Sequence, residues 1–142
     1  MNDPGVVTFD RKIAIVVRED LATWQKLNVT AFLTSGIVGA YPGILGEPYE
    51  DAVGTVYHPL VVQPMIVLSA DGDAMRTIYR RALERSVRLS LYIDEMFSTS
   101  HDAANRAVVR ERGPDQMTIV GLALRDVKKT VDKVTKGARM HA

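Results

Sequence analysis

Residues 12–17 read Lys-Ile-Ala-Ile-Val-Val, a continuous apolar run rich in β-branched side chains. Such a run favours a β-strand covered on both faces, because a strand exposed on one face would alternate polar and apolar residues. Residues 117–124, which read Met-Thr-Ile-Val-Gly-Leu-Ala-Leu, have the same character near the other end of the chain. Two such strands predict a sheet with helices packed against both of its faces.

The first predicted helix follows this strand and ends at the sequence Tyr41-Pro42-Gly43. Apolar or small residues recur along it at helical spacing, and we expect this stripe to face the sheet. The stripe consists of Trp24, Leu27, Ala31, Ser35 and Val38.

The rest of the chain continues the alternation of strands and helices. Residues 65–68 and 87–94 predict two further strands, with a helix begun by Asp71 between them, and residues 101–112 predict another helix. We expect Asp126 to cap a final helix that ends at Gly137. The predicted fold class is therefore α/β: residues 1–142 form a single-domain three-layer sandwich with a four-stranded mixed sheet and helices on both faces.

Composition excludes several classes of protein. The 142 residues include no Cys, which excludes disulfide frameworks, iron–sulfur clusters and cysteine nucleophiles. A net charge of +1 gives no strong attraction to nucleic acid or to a membrane surface. We find no signal-peptide pattern and no apolar run long enough to cross a bilayer, so we expect a cytoplasmic protein without membrane association. The usual metal and nucleotide motifs do not occur, and we expect no metal and no cofactor.

Residues 41–64 interrupt the regular pattern with four prolines and three glycines. The segment up to Leu60 carries Glu47, Glu50 and Asp51 but no Lys or Arg. We predict an irregular acidic loop with one short strand near residues 55–57. Long irregular segments in small domains are often functional, so His58 is a candidate substrate-binding residue in this loop.

The densest group of reactive side chains lies in residues 94–102. Asp94 is the last residue of a predicted strand, and ligands of α/β proteins commonly bind at strand ends. Ser98, Thr99 and His101 follow it, so the segment offers hydroxyl nucleophiles, a base and an orienting carboxylate. The alternative interpretation is structural, because Thr99 and Asp102 have the spacing of a capping box at the start of a helix.

A second group of candidate residues surrounds the turn after the first strand. Lys26 is a candidate to stabilise developing negative charge, Asn28 to donate a hydrogen bond to the same oxyanion, and Asp20 to bind substrate. The alternative is that Asp20 or Thr23 caps the helix and Lys26 is solvated.

Residues 12–21, 114–124 and 131–135 resemble the first strand and turn, and the closing strand and helix, of the type II peptidyl-tRNA hydrolases. The resemblance implies that family's fold, a four-stranded mixed sheet between helices. That family carries an Asp-Ala-Gly-x-Thr stretch, in which Asp94 matches the aspartate and Ser98 stands at the offset of the threonine. Its active-site lysines lie in the first turn, where Lys26 is the counterpart in this chain.

A closer resemblance, over nearly the whole chain, is to an uncharacterised family, the domain-of-unknown-function family 2000. It is carried by residues 27–32 (LNVTAF), 48–52 (PYEDA) and 96–106 (MFSTSHDAANR). This resemblance implies the same peptidyl-tRNA hydrolase-like fold and brings no assigned activity.

Three hypotheses for function remain open at the level of the sequence. The first is a metal-free hydrolase or transferase for an ester or amide such as an acylated substrate, with Asp94, Ser98, Thr99 and Lys26 as its catalytic residues. The second is a non-catalytic, homodimeric module that binds a small molecule or a protein under the acidic loop. The third and weakest is nucleic-acid binding through the arginines of residues 72–90. Convergence of Lys26, Asn28, Asp94 and Ser98 on one pocket would favour the first.

Overall fold

The run at residues 12–17 forms the centre of the first strand in a computed structural model, which describes residues 8–141. Helices and strands alternate through the chain, as predicted. Short 3-10 turns occur at Pro42–Ile44, Asp94–Ser98 and Pro114–Gln116. In chain order the elements are β1 (Arg11–Arg18), α1 (Thr23–Ala40), β2 (Tyr49–Glu50), β3 (Val56–Tyr57), β4 (Met65–Ala70), α2 (Gly72–Glu84), β5 (Ser90–Ile93), α3 (Asp102–Arg110), β6 (Ile119–Val127), α4 (Lys128–Val134) and β7 (Arg139–Met140).

The main sheet has the strand order β5-β6-β1-β4-β7. Strand β4 is parallel to β1, whereas the other neighbouring pairs are antiparallel, so the prediction of a mixed α/β sheet is confirmed. The prediction of four strands is wrong, because the sheet has a fifth strand, β7, at its edge. This strand has only two residues, too few for a periodic pattern to reveal.

Helices cover both faces of the sheet. On one face, Val29 and Leu33 of α1 pack among alternate β1 side chains, such as Ile15. On the other face, Met75 of α2 and Val131 of α4 pack among the remaining β1 side chains and those of β6. Residues 13–17 of β1 are buried on both faces of the sheet, which explains why this strand has no alternation of polar and apolar residues.

The prediction of which face of α1 packs on the sheet is wrong. The buried residues of α1 are Val29, Leu33 and Ile37, and Trp24 and Leu27 of the predicted stripe are 62% and 68% exposed. Helical periodicity cannot choose between two apolar faces, and α1 carries one charged residue, Lys26, among its 18 residues. Despite this composition, none of the helices within residues 8–141 has the length and hydropathy needed to cross a bilayer.

The end of the chain also differs from the prediction. Strand β6 continues to Val127, so Asp126 lies within the strand and does not cap α4. Helix α4 ends at Val134, three residues before Gly137. Gly137 has a φ of +104°, and this left-handed turn directs the chain back along β4 as strand β7. The predicted cap of α2 is confirmed, because the Asp71 side chain accepts a hydrogen bond from the backbone N–H of Ala74.

The acidic segment forms a long antiparallel hairpin, which we call the arm (residues 44–62). Its register is constant: Leu45 pairs with Val61 at the base and Tyr49 pairs with Tyr57 near the tip. The predicted short strand is present as β3. Ile44 and Val61 anchor the base in the core beneath α1, whereas β2 and β3 pack chiefly on each other.

Candidate ligand-binding cleft

A cleft lies between α1, the edge strand β5 and α3. Its wider part has a volume of about 640 Å³, and its narrower part, near the start of α3, has a volume of about 340 Å³. Both parts are lined by Phe32 of α1, Tyr92 of β5 and Asn105 of α3, so they form one continuous groove. The cleft exists because β5 is the last strand of the sheet, which leaves one edge open between the two helices.

Four aromatic rings form a row along the floor and wall of this cleft. The ring centroids of Phe32 and Tyr92 are 6.2 Å apart, and those of Tyr92 and Phe97 are 5.2 Å apart. Trp24 continues the row in a T-shaped pair with Phe97, at 5.9 Å between centroids and an interplanar angle of 71°. These separations are typical of favourable aromatic pairs, so the row is a preformed surface.

Polar side chains line the narrower part of the cleft. The Thr99 hydroxyl donates to the carbonyl oxygen of Met96 over 2.9 Å, and the Asn105 side chain contacts the same hydroxyl. His101 caps α3, because its Nδ1 accepts a hydrogen bond of 3.1 Å from the backbone N–H of Ala104. The predicted capping role thus belongs to His101 rather than to Thr99.

The Tyr92 phenol lies beneath these polar groups and is largely buried. Burial raises the pKa of Tyr92 above its usual range, because a phenolate would lose its hydration there. The neighbouring Asn28 side chain hydrogen-bonds the phenol and offsets part of this shift in the pKa. Tyr92 is therefore a neutral group of the cleft at physiological pH.

The structure brings three of the eight candidate residues together in the cleft, namely Asn28, Thr99 and His101. The other five do not line it. Asp94 and Ser98 are exposed on the 3-10 turn, and the Asp94 backbone N–H donates to the carbonyl oxygen of Thr118. The remaining three are Lys26, which is half-buried on another side of α1, Asp20, which pairs with Arg18 at 2.5 Å, and His58, which is exposed on the arm.

Sequence reasoning missed the aromatic row and Asn105. A signal for part of the row was present, since Trp24, Asn28 and Phe32 are spaced four residues apart and so follow one line along α1. Tyr92 and Phe97 carried no such signal, because they reach the cleft from a short strand and a 3-10 turn. Their convergence depends on the pairing of β5 at the edge of the sheet.

Two further features bear on function, namely the arrangement of metal-ligating side chains and the arginines of helix α2. Within the described part of the chain, no group of three or more His, Asp or Glu side chains is arranged to hold a metal ion. On α2, Arg76 donates to the carbonyl oxygens of Pro114 and Met117, and Arg81 donates to those of Val134 and Lys136. Arg76 and Arg81 therefore bind the backbone of the segments before β6 and after α4.

A protein family and a solved structure are similar to this chain. A family described as proteins of unknown function (DUF2000) matches residues 11–142. The solved structure of a protein of unknown function from Agrobacterium tumefaciens strain C58 is 57% identical in sequence, covers 95% of this chain and 100% of its own chain, and has a TM-score of 0.93. Among curated proteins there is no match. Because the family match extends over nearly all of the sequence, the chain belongs to the family DUF2000.

Proposed function

We propose that this protein is a binding module that takes a small ligand with a flat apolar part into the cleft between α1 and α3. The observation that carries this proposal is the row of Trp24, Phe97, Tyr92 and Phe32 along the cleft, in which Trp24 and Phe32 are exposed and Tyr92 is buried between them and Phe97. A ligand that covers these rings removes apolar surface from water, and the volume of the cleft is in the range typical of small-molecule sites.

The polar groups of the cleft narrow the class of ligand. Asn28 and Asn105 each offer a donor and an acceptor, and His101 keeps one ring nitrogen free of the cap bond. These amides and the imidazole stand beside the aromatic rings of the narrower part, where the carboxylate of Asp102 is already paired with Arg106 at 2.7 Å. They suit a ligand that carries an amide or a similar hydrogen-bonding group next to a ring.

The arrangement favours binding over catalysis. Lys26, Asp94 and Ser98 do not share the cleft with Asn28, so the predicted catalytic set is not assembled in one place. The Thr99 hydroxyl has two hydrogen-bond acceptors, the Met96 carbonyl oxygen and the Asn105 side-chain oxygen, and neither of them is a base.

The test uses Trp24, which is the only tryptophan of the chain, as a fluorescent reporter inside the cleft. The probe is N-acetyl-L-phenylalaninamide, which joins a ring to two amides, and N-acetylglycinamide is the control that lacks the ring. We expect a saturable change in Trp24 emission with the first compound and none with the second. Equal responses to both compounds, or no response to either, would contradict the proposal.

A matched pair of variants locates the binding. Phe32→Ala removes a ring of the row, whereas Leu83→Ala removes a comparably exposed apolar side chain from α2 on the other face of the sheet. We expect about a tenfold weaker affinity from Phe32→Ala, since an aromatic contact contributes on the order of 1 kcal/mol. Leu83→Ala should bind the probe as the wild type does.

A second candidate function is ester or amide hydrolysis, or acyl transfer, in the same cleft. It is supported by the presence of Thr99, His101 and Asn28 together at the narrower part. In this scheme Asn28 would donate to a developing oxyanion and His101 would accept or deliver a proton. The test is release of peptide from N-acylated aminoacyl-tRNA by the wild type, Thr99→Val and Asp94→Ala. Turnover lost in Thr99→Val would support it, and turnover absent from the wild type would exclude this substrate.

We also propose that the sheet is that of the type II peptidyl-tRNA hydrolases. The support is the arrangement of the four longer strands, in which β1 lies between parallel β4 and antiparallel β6, with helices on both faces. Superposition on a solved member of that family tests this, and a different order or direction of these four strands would contradict it.

A further inference from the structure

The face of α1 that points away from the sheet is apolar and uncovered. Trp24 and Leu27 are the most exposed large side chains of the helix, and the only charged residue, Lys26, is half-buried. Helices that are apolar on both faces are typically covered on both faces. The sheet covers only one face, and within residues 8–141 the other face stays exposed at Trp24 and Leu27, so we expect a further surface to cover it. We call this outer face the α1 face; it consists of the exposed residues Trp24, Leu27, Ala31 and Ser35.

The arm is the second apolar surface without a cover. Of the fourteen large hydrophobic residues exposed within residues 8–141, ten lie on α1 or the arm. Val56 is 64% exposed, and Leu60 is equally so. A two-stranded hairpin with so little packing is marginally stable in water, and exposed apolar patches of this kind mark interaction sites.

The arm is nevertheless built as a rigid element. At its tip, Asp51 Oδ1 accepts hydrogen bonds of 3.0 Å from the backbone N–H groups of both Val53 and Thr55. The Tyr57 hydroxyl donates to Asp51 Oδ2 over 2.9 Å, which ties the strand back to the turn. Such preorganisation lowers the entropic cost of docking, so it is consistent with a surface that binds a partner.

The arm and the α1 face match in length. From residue 44 to residue 51 the arm extends about 23 Å at the rise of a β-strand. The 18 residues of α1 extend about 27 Å at the rise of an α-helix. One arm can therefore lie along most of the length of one α1 helix.

The arm and the surroundings of the α1 face also match in charge. Glu47 and Glu50 of the arm form no ion pair within residues 8–141, and the same holds for Arg110 of α3. The arm thus presents two unpaired carboxylates, and the cleft that borders α1 at Phe32 and Gly36 presents an unpaired cation, Arg110. Complementary charges of this kind set the orientation of a complex more than its affinity.

We infer that the arm of a second copy of this chain covers the α1 face, and that two copies exchange arms reciprocally about a two-fold axis. A chain cannot cover its own α1 face in this way, because Trp24 and Leu27 stay exposed while its arm is in place. Reciprocal exchange buries both apolar surfaces of both copies at once, which is the arrangement of an isologous dimer. The α1 face and the cleft share Trp24, so the experiments below substitute Leu27 and Val56, which do not line the cleft.

The first experiment measures the mass of the full chain in solution by sedimentation equilibrium. We expect a dimer for the wild type and a monomer for both Leu27→Glu and Val56→Glu, which place a carboxylate on the α1 face and on the arm. Leu83→Glu, at an exposed leucine of α2, is the matched control and should stay dimeric. A monomeric wild type at tens of micromolar, or a dimer that survives both substitutions, would overturn the inference.

The second experiment tests the contact itself and does not need a disruptive substitution. The chain has no Cys, so a disulfide can form only between introduced thiols. Leu27→Cys protein mixed with Val56→Cys protein under mild oxidation is expected to give the mixed disulfide-linked pair. The same mixture with Leu83→Cys in place of Leu27→Cys should not. Equal cross-linking in both mixtures would show that the thiols meet by random collision, and the inference would be wrong.

Discussion

Gly121 of β6 lies directly beneath Val29 of α1, so close that a Cβ on the glycine would stand 2.4 Å from Val29 Cγ1. The same Cβ would lie 3.0 Å from Leu33 Cδ1. This contact brings α1 against the sheet by the face that carries Val29 and Leu33. The missing side chain of Gly121 therefore helps to select which of the two apolar faces of the helix is buried.

Gly121→Ala should destabilise the protein by about 1 to 3 kcal/mol, the usual cost of overpacking a core. Gly39→Ala is the matched control on α1, because a Cβ there meets no atom within 4 Å. Removing a helical glycine should stabilise the protein by up to about 1 kcal/mol. Urea unfolding followed by circular dichroism measures both changes, and shifts in the same direction would contradict this account of the contact.

Arg76→Met should destabilise the protein more than Arg80→Met. The Arg76 guanidinium donates to the carbonyl oxygens of Met117 at 2.6 Å and Pro114 at 3.3 Å, and so holds the segment before β6. Losing these charge-assisted bonds should lower the free energy of unfolding by about 1 to 3 kcal/mol. Arg80 forms only a surface ion pair of 3.7 Å with Asp115, and its loss should change the free energy by less than about 1 kcal/mol. Thermal unfolding of the two variants side by side tests the difference.

The tip of the arm should loosen at acidic pH. Hydrogen bonds from the Thr55 backbone, the Tyr57 hydroxyl and the Val53 backbone hold the pKa of Asp51 below its usual value of 3.8. A lowered pKa in the folded state means that the turn is stabilised above the unfolded value and loses this stabilisation as the pH falls through the lowered pKa. The amide NMR shifts of Val53 and Thr55 should therefore titrate with a midpoint below 3.8. Asp51→Asn should abolish this titration, and a midpoint at or above 3.8 would contradict the prediction.

Tyr92 should ionise late in an alkaline titration. Burial raises its pKa above the usual value of 10.0, and only part of this effect is offset by Asn28. Because the pKa is raised on folding, stability is intact below 10.0 and falls as the pH rises toward the pKa of the folded state. Ultraviolet absorbance of the phenolate should show that Tyr92→Phe removes one late component while that of Tyr79, whose pKa burial also raises, remains. A variant that loses only an early component would show that Tyr92 is not the buried phenol described here.

The strands were the most predictable part of the fold, and the packing of α1 was the least. Residues 12–17 predict a strand covered on both faces, because a strand with one face in water would have polar residues at alternate positions. Asp71 predicts the start of α2, because a carboxylate before a helix accepts hydrogen bonds from the free backbone N–H groups of its first turn. In α1, by contrast, both faces are apolar. Which face is buried depends on Gly121, which lies in a strand distant in sequence.

The site was less predictable than the fold for a related reason. Asn28, Thr99 and His101 of the cleft were predicted from the sequence, because an amide, a hydroxyl and an imidazole suggest a functional role from the residue type alone. The aromatic row was not, because it joins residues of α1, β5 and a 3-10 turn that no local pattern connects. Asp94 and Ser98 have suitable chemistry, but the 3-10 turn leaves them at the surface, outside the cleft.

Pro48 and Pro59 interrupt the ladder of the arm on adjacent rungs of its two strands. Proline has no backbone N–H, so each strand of the arm lacks a donor on this stretch of its length. An exposed hairpin with so many apolar side chains would otherwise be a template for edge-to-edge growth into fibrils. The two prolines disfavour that growth along the strand edges while leaving the side-chain faces of the arm available. A protein with such an arm can therefore form finite assemblies through its faces without polymerising through its edges.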